Sequence, residues 1–224
     1  MTGVSVRPRK LTPKGAAMRQ KIIEAAADLI YERGVAGTNN ELVRAAAGIS
    51  GSQLSHYFPD KESLVRAVIA WRADTMIGLQ RDPPLGELDS IAALRAWAAS
   101  YTERPDICAG GCSFGSIAAE IIKSDLDVHD EITAGFDRWR DLFERGLTAM
   151  RASGELRRAD PRQLAYTLMA AFQGGMLLAQ AARDPAPLRA ALDTAIDHIA
   201  SFAARPRHPA AEHHADSRED RPLS

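Results

Sequence analysis

The stretch Thr38–Leu64, TNNELVRAAAGISGSQLSHYFPDKESL, decides the fold. Thr38-Asn39-Asn40-Glu41 has capping-box spacing, in which a hydroxyl and a carboxylate three residues on satisfy each other's free backbone donors. A short helix over 39–46 is expected from it, with Leu42 and Val43 turned inward. Ala47-Gly48-Ile49 then supplies a tight turn, since Gly48 is free to take positive φ. Ser50-Gly51-Ser52-Gln53 repeats the box spacing and opens a second short helix ending near Tyr57. Two short capped helices across a glycine turn read as a helix-turn-helix, with Ala45 or Ala46, Ile49 and Leu54 buried where the helices cross. On spacing alone, an ordinary corner between two helices fits as well.

Upstream, Met18, Ile22, Ala25 and Leu29 recur at helical spacing between Lys14 and Arg33, and Gly34 supplies the stop. Residues 1–13 carry two prolines and no period, and read as a flexible basic arm. Downstream, Asp60 caps a helix that turns Leu64, Val65, Val68 and Ile69 inward and runs to about Leu79. The Pro pair within Arg81–Gly86 marks a linker. Further helices are expected over 87–103, 114–124 and 127–152. Asp160-Pro161-Arg162-Gln163 gives an N-cap, Pro at the first helical position and a reciprocal Gln, opening a helix that reaches Arg183. Asp184-Pro185 opens the last helix, with Leu188, Leu192, Ala195, Ile196, Ile199 and Phe202 on one face. From 205 to 224 the chain is Pro-, His- and charge-rich without period, a disordered tail. The expected fold is all-α, with about nine helices. The arm (1–13) and a three-helix unit (14–60) precede a helical body (61–204).

Composition agrees. The 40 Ala and 20 Leu against 7 Val favour helices over a Val-rich sheet. No run of 18 apolar residues exists, the richest stretch (Met169–Ala182) being broken by Gln173, Gly174, Gly175 and Gln180, so no membrane span is expected. The basic N-terminus lacks the apolar core of a signal peptide, and two cysteines make no disulfide framework, so a cytoplasmic, reduced setting is expected. The formal net charge of −1 hides an asymmetry: residues 1–66 are net +4 and residues 67–204 net −5. A basic end on an acidic body suggests that only that end meets a polyanion.

Residues 38–64 resemble the DNA-binding helices of the TetR family of transcriptional repressors. The likeness lies in a Thr-capped helix, Ala46-Ala47-Gly48-Ile49-Ser50 at the turn, a short helix ending in Tyr57-Phe58, and Asp60-Lys61-Glu62 followed by Leu64. At motif level it covers about residues 14–70. The segments Gly110–Ser116, Gly135–Trp139 and Gln173-Gly174-Gly175 resemble a subgroup that is often drug- or metabolite-responsive. The chain departs from the family where a Lys often stands at Gly51 and a Tyr at Ser55. The resemblance implies a recognition helix at Ser50–Tyr57, lying in a major groove about 12 Å wide. Gln53 has the fork that pairs with adenine, and it is equally the capping partner of Ser50. Ser52, Ser55 and His56 suit base edges or phosphates, and Gly51 allows close backbone approach. Thr38, Tyr57 and Lys61 are phosphate candidates, while Arg44 reads either as a phosphate contact or as the partner of an acid. The basic arm either tracks the duplex or is simply solvated.

Such a head implies double-stranded DNA with a palindromic operator and a two-fold homodimer through the last two helices. Gly174, Gly175, Ala179, Ala181 and Ala182 permit close approach there, and Leu178, Leu192, Ile196 and Ile199 supply apolar area, unless these pack within one subunit. In the body, Trp97 with Tyr101, and Phe136 with Trp139 and Phe143, form aromatic stripes that Phe114, Met169, Phe172, Gln173 and Met176 complete. The stripes are either plain core or the wall of a pocket for a mostly apolar, aromatic-sized effector that opposes DNA binding.

Cys108 and Cys112 read as small residues at a glycine turn, or as a thiol redox sensor; no further His or Cys completes a zinc site nearby. Asp125, Asp127, His129, Asp130 and Glu131 read as a helix start rather than a metal site, and His208, His213 and His214 as adventitious ligands. No cofactor or metal is expected. An all-helical enzyme or a protein-binding adaptor are the competing classes, and no phosphate loop or nucleophile elbow supports the former.

Overall fold

A computed structural model describes residues 11–81, 87–104 and 107–203. Most of the basic arm, the Pro-pair linker and the tail from 204 onward lie outside these residues. Ten helical segments occur among them, and no strand beyond one isolated bridge, Leu156 to Ala203. They are α1 (Pro13–Gly37), α2 (Asn40–Ala47), α3 (Gly51–Tyr57), α4 (Lys61–Arg81), α5 (Ile91–Thr102), α6 (Ile107–Gly110), α7 (Ser113–Ile121), α8 (His129–Ala152), α9 (Pro161–Ala182) and α10 (Ala186–Ala200). The segment beyond the expected nine is α6, only four residues long.

Local chemistry fixes most boundaries. The Thr12 hydroxyl accepts from the Gly15 N–H at 3.2 Å with Pro13 opening α1, so the helix takes in a residue assigned to the arm. Gly34 sits at φ 74°, ψ 168°, which bends α1 before a last turn to Gly37. Asp160 accepts from Arg162 and Gln163 at the start of α9, and Asp184 from Ala186 at the start of α10. Two starts fall later than expected. Ser90, not Glu87, caps α5 through the Ala93 N–H at 3.1 Å. Helix α8 begins at His129 without a side-chain cap, and Arg66 of α4 reaches the segment around this start. It donates to the Asp127 carbonyl at 2.6 Å and pairs with Glu131.

α4 packs on α1, α7 and α8. α9 packs between α8 and α10, α10 also meets α5, and α7 lies on α1. Ile22, Val43, Ala47, Leu54 and Phe58 close the core at the front. Trp97, Trp139, Phe143, Phe172, Leu192 and Ile196 close it in the body.

Candidate DNA-reading head and effector groove

Helices α2 and α3 meet across Gly48, which takes the left-handed conformation at φ 64°, ψ 44° that the turn requires. Val43 and Ala47 of α2 and Leu54 of α3 are buried, with Phe58 just beyond. The buried alanine is therefore Ala47; Ala45 and Ala46 face outward, and Leu42 is half-buried. Thr38 is also a correction. Its neighbour Asn39 caps α2, accepting from the Leu42 N–H at 3.0 Å. The bend at Gly34 leaves a carbonyl without its helical partner, and the Thr38 hydroxyl donates to it at 2.9 Å. Only 4% exposed, Thr38 does not present its hydroxyl to a phosphate.

Both bonds of the second capping box are present: the Gln53 N–H donates to Ser50 Oγ at 3.2 Å, and the Ser50 N–H to Gln53 Oε1 at 2.9 Å. The fork for adenine needs that same oxygen, so the capping role is the one the structure holds. Ser50, Ser52, Gln53, Ser55 and His56 are exposed along α3, with Gly51 and Tyr57 half-buried. The ring of Tyr57 meets His56 edge-on at 5.0 Å, and its hydroxyl lies beside Gly15 at the start of α1.

Cations gather around this surface. Lys21 Nζ stands next to Gly48, and Arg19 stacks on the Phe58 ring at 5.0 Å. The exposed Arg44 guanidinium leans over Gly51, where a Cβ would lie 3.6 Å from its Nη1. Among the described residues no carboxylate pairs with Arg44. A Cβ at 51 would meet it at ordinary van der Waals distance. Lys61 is half-buried in the first turn of α4, which Asp60 caps by accepting from the Ser63 N–H at 2.7 Å. That N–H holds the Asp60 carboxyl below the ordinary carboxylate range.

In the body, the aromatic residues divide. Trp97 packs edge-on with Phe143 at 4.9 Å and tilted on Phe172 at 5.5 Å; Tyr101 and Trp139 close on Phe172 at 4.8 and 5.2 Å. Four of these rings are buried and Tyr101 is half-buried, and they pack on one another. Phe114 is buried too, against Phe136 at 4.8 Å. Among the described residues, open space lies in a groove of about 370 Å³ between α7 and α9. Its walls include Cys112, Ser116, Ala119, Ile122, Phe136, Gln173, Met176, Leu177 and Gln180. A smaller hollow of about 240 Å³ joins Phe136, Met169, Tyr166 and Gln173. Of the ten effector candidates, Phe136, Met169, Gln173 and Met176 border this space. Sequence reasoning missed Ser116, Ala119, Ile122, Leu177 and Gln180. The seven-residue spacing of Gln173 and Gln180 was the available signal, since it puts both amides on one face of a helix. Their Oε1 atoms abut the glycine turn, 2.6 and 2.5 Å from where a Cβ would stand on Gly115 and Gly111. A larger groove, about 670 Å³ along α8, is walled by Arg140, Asp141, Glu144 and Arg145. Arg140 there is consumed by Asp137, Asp141, Glu144 and the Tyr166 hydroxyl, which leaves a self-paired surface rather than a receptor.

Cys112 caps α7, its Sγ accepting from the Gly115 N–H at 3.3 Å, and burial pushes its thiol up. A neutral, enclosed thiol is the opposite of what redox sensing uses, so that reading is not favoured. Among the described residues no group of three or more His, Cys, Asp or Glu is placed to hold a metal, and no helix is long and apolar enough to cross a membrane. Gly175, Ala179, Leu192, Ile196 and Ile199, named for a dimer, pack within the chain; a Cβ on Gly175 would stand 2.9 Å from Leu188 Cα of α10. Exposed instead is a stripe along α9: Tyr166, Ala170, Gly174, Leu177, Leu178 and Ala181.

Two family models match this chain. Residues 22–68 match bacterial regulatory proteins of the tetR family, and residues 88–195 match the tetracyclin repressor-like C-terminal domain. The chain is 28% identical over 194 residues to the HTH-type transcriptional regulator BetI of Burkholderia ambifaria, covering 81% of this chain and 91% of that one. It is 24% identical over 173 residues to the HTH-type transcriptional repressor DhaR of Mycobacterium sp. strain GP1, covering 76% and 86%. A TetR transcriptional regulator of Chloroflexus aurantiacus, solved by crystallography, superposes with a TM-score of 0.71 at 26% identity, covering 86% of this chain and 98% of the other.

Proposed function

Because the chain belongs to the TetR family and is a DNA-binding transcriptional regulator, we propose that it is a repressor released by a mostly apolar effector held between α7 and α9. The observation that carries the DNA half is the row Ser52, Gln53, Ser55 and His56, exposed on a helix anchored by buried Leu54 and Phe58. In a two-fold dimer on half-sites ~34–36 Å apart, or a multiple of that, Ser52, Ser55 and His56 reach base edges while Gln53 keeps the cap at Ser50. Arg44, Lys61, Lys21 and Tyr57 hold phosphates and set the register without reading sequence. The protein's place of work is then with the DNA in the cytoplasm.

The groove supports the effector half: Ile122, Phe136, Met176 and Leu177 offer apolar walls, and Ser116, Gln173 and Gln180 orient a ligand through a few polar contacts. Release is linkage, in which a ligand that fits one dimer shape better disfavours the shape that fits DNA.

Capture of sheared genomic DNA by the purified protein tests the first half. Enrichment of a few palindromic fragments, weakened as salt rises, is expected. Uniform recovery of all fragments would overturn it. A small-molecule screen against the captured complex tests the second half, and hits that bind the protein without displacing DNA would refute release.

A further inference from the structure

We propose that Glu120 is the positioning residue that carries occupancy of the α7/α9 groove to the DNA-reading head; this rests on the groove being the effector site.

Helix α7 stands between the two. Its Ser116 and Ala119 are exposed at the groove wall, as is Ile122 at its C-terminal end, while Ile117, Ala118 and Ile121 are buried in the core. Glu120, one turn beyond Ser116, reaches α1. With ψ at 168°, Gly34 turns the N–H of Val35 off the helix ladder, and Glu120 Oε2 accepts it at 2.6 Å. The carboxylate also fills the hollow of the bend, since a Cβ on Gly34 would lie 2.7 and 3.0 Å from its two oxygens. The Gly34 carbonyl in turn holds the Thr38 hydroxyl, and the next residue, Asn39, caps α2. From groove wall to helix-turn-helix the connection is α7, Glu120, the Gly34–Val35 bend, Thr38 and Asn39. The hydroxyl of Tyr31, one turn earlier on α1, packs against Gly110 of α6, so the end of α1 leans on this side of the body at a second point.

A charged acceptor on a backbone donor is stronger and more directional than apolar contact, so a shift of α7 moves the bend with it instead of sliding past. An effector wedged between α7 and α9 displaces α7, and the displacement reaches α2 through these bonds. A rival route exists through α4, which Arg66 ties to Glu131 and the Asp127 carbonyl, and Asp74 ties to Arg138 at 2.5 Å. The test separates the two routes.

Full-length Ser116→Cys protein in a Cys108→Ser background is reacted with N-phenylmaleimide, which places an aromatic adduct in the groove. Affinity for a captured genomic fragment is then compared with and without the adduct. With Glu120 present, the adduct is expected to change affinity at least tenfold. In Glu120→Ala the change falls below threefold, and Glu120→Gln, which keeps an acceptor without the charge, lies between. Deuterium exchange of the Val35 amide accelerates in Glu120→Ala, and the adduct accelerates it only where Glu120 is present. Melting curves confirm that each variant is folded, and the Gln variant serves if Ala is not. An equal adduct effect with and without Glu120 overturns the proposal and points to α4. An adduct without effect in the Glu120 protein removes the groove reading, and the proposal falls with it.

Discussion

Arg44 leaning over Gly51 explains how this head keeps a cation near α3 without a long side chain on the recognition helix itself. The phosphate role makes a definite demand. Arg44→Ala should weaken binding to all captured fragments about tenfold and lower the slope of log affinity against log salt by about one. Adding Gly51→Lys to that variant should restore most of the loss, because the lysine enters the vacated space. Fluorescence anisotropy over a salt series measures both, and a loss confined to particular base substitutions would contradict the assignment. Asp60 gives a pH-dependent counterpart. The Ser63 N–H lowers its carboxyl, so its contribution to stability is present above the ordinary carboxylate range and disappears as pH falls through the lowered value. Asp60→Asn should therefore melt lower than the parent at pH 7, with the two curves converging below about pH 4.

Between elements, the bend in α1 is the most demanding joint. At φ 74°, ψ 168°, Gly34 occupies a region that is essentially glycine's alone, and Gly34→Ala should cost about 1–3 kcal/mol from the backbone before its Cβ meets Glu120. Urea unfolding gives the loss, and a variant as stable as the parent would show that the bend relaxes freely. What could be read from sequence follows from range. The Ser50–Gln53 box, the Gly48 turn and the Asp160 cap are each settled within four residues, and each forms, the last through the Asp160 carboxylate alone. The bend that takes up the Thr38 hydroxyl is held by Glu120, and the Asp127 segment answers to Arg66 of another helix, partners that no local window contains. The aromatic stripes leave core and pocket open for a related reason: periodicity shows that rings share a face but not whether partners fill the space in front of them. Small Ser116 and Ala119 shape the groove, and their weak hydrophobic signal is why the cavity was not legible.

For the whole molecule, α9 divides into two faces. One face, with Gly175, Met176 and Ala179, is buried in the chain. The other carries Leu178 at 59% and Tyr166 at 50% exposed, with Ala170, Gly174 and Ala181 flat between them, a surface that suits a second copy better than water. If the dimer forms there, Leu178→Glu places two like charges close together across the axis while leaving the fold of each chain intact. The variant should run as a monomer by light scattering, melt cooperatively, and lose at least a hundredfold in affinity for a palindromic fragment, since one head reads only a half-site. Leu192→Ala makes the matched control. Fully buried beneath the α9/α10 contact, it should destabilise the chain by about 2–5 kcal/mol. Well below its melting point it should remain a dimer on DNA. Exchange of these two phenotypes, with Leu178→Glu still dimeric and Leu192→Ala folded but monomeric, would move the interface off the exposed stripe and onto the face that α10 now covers.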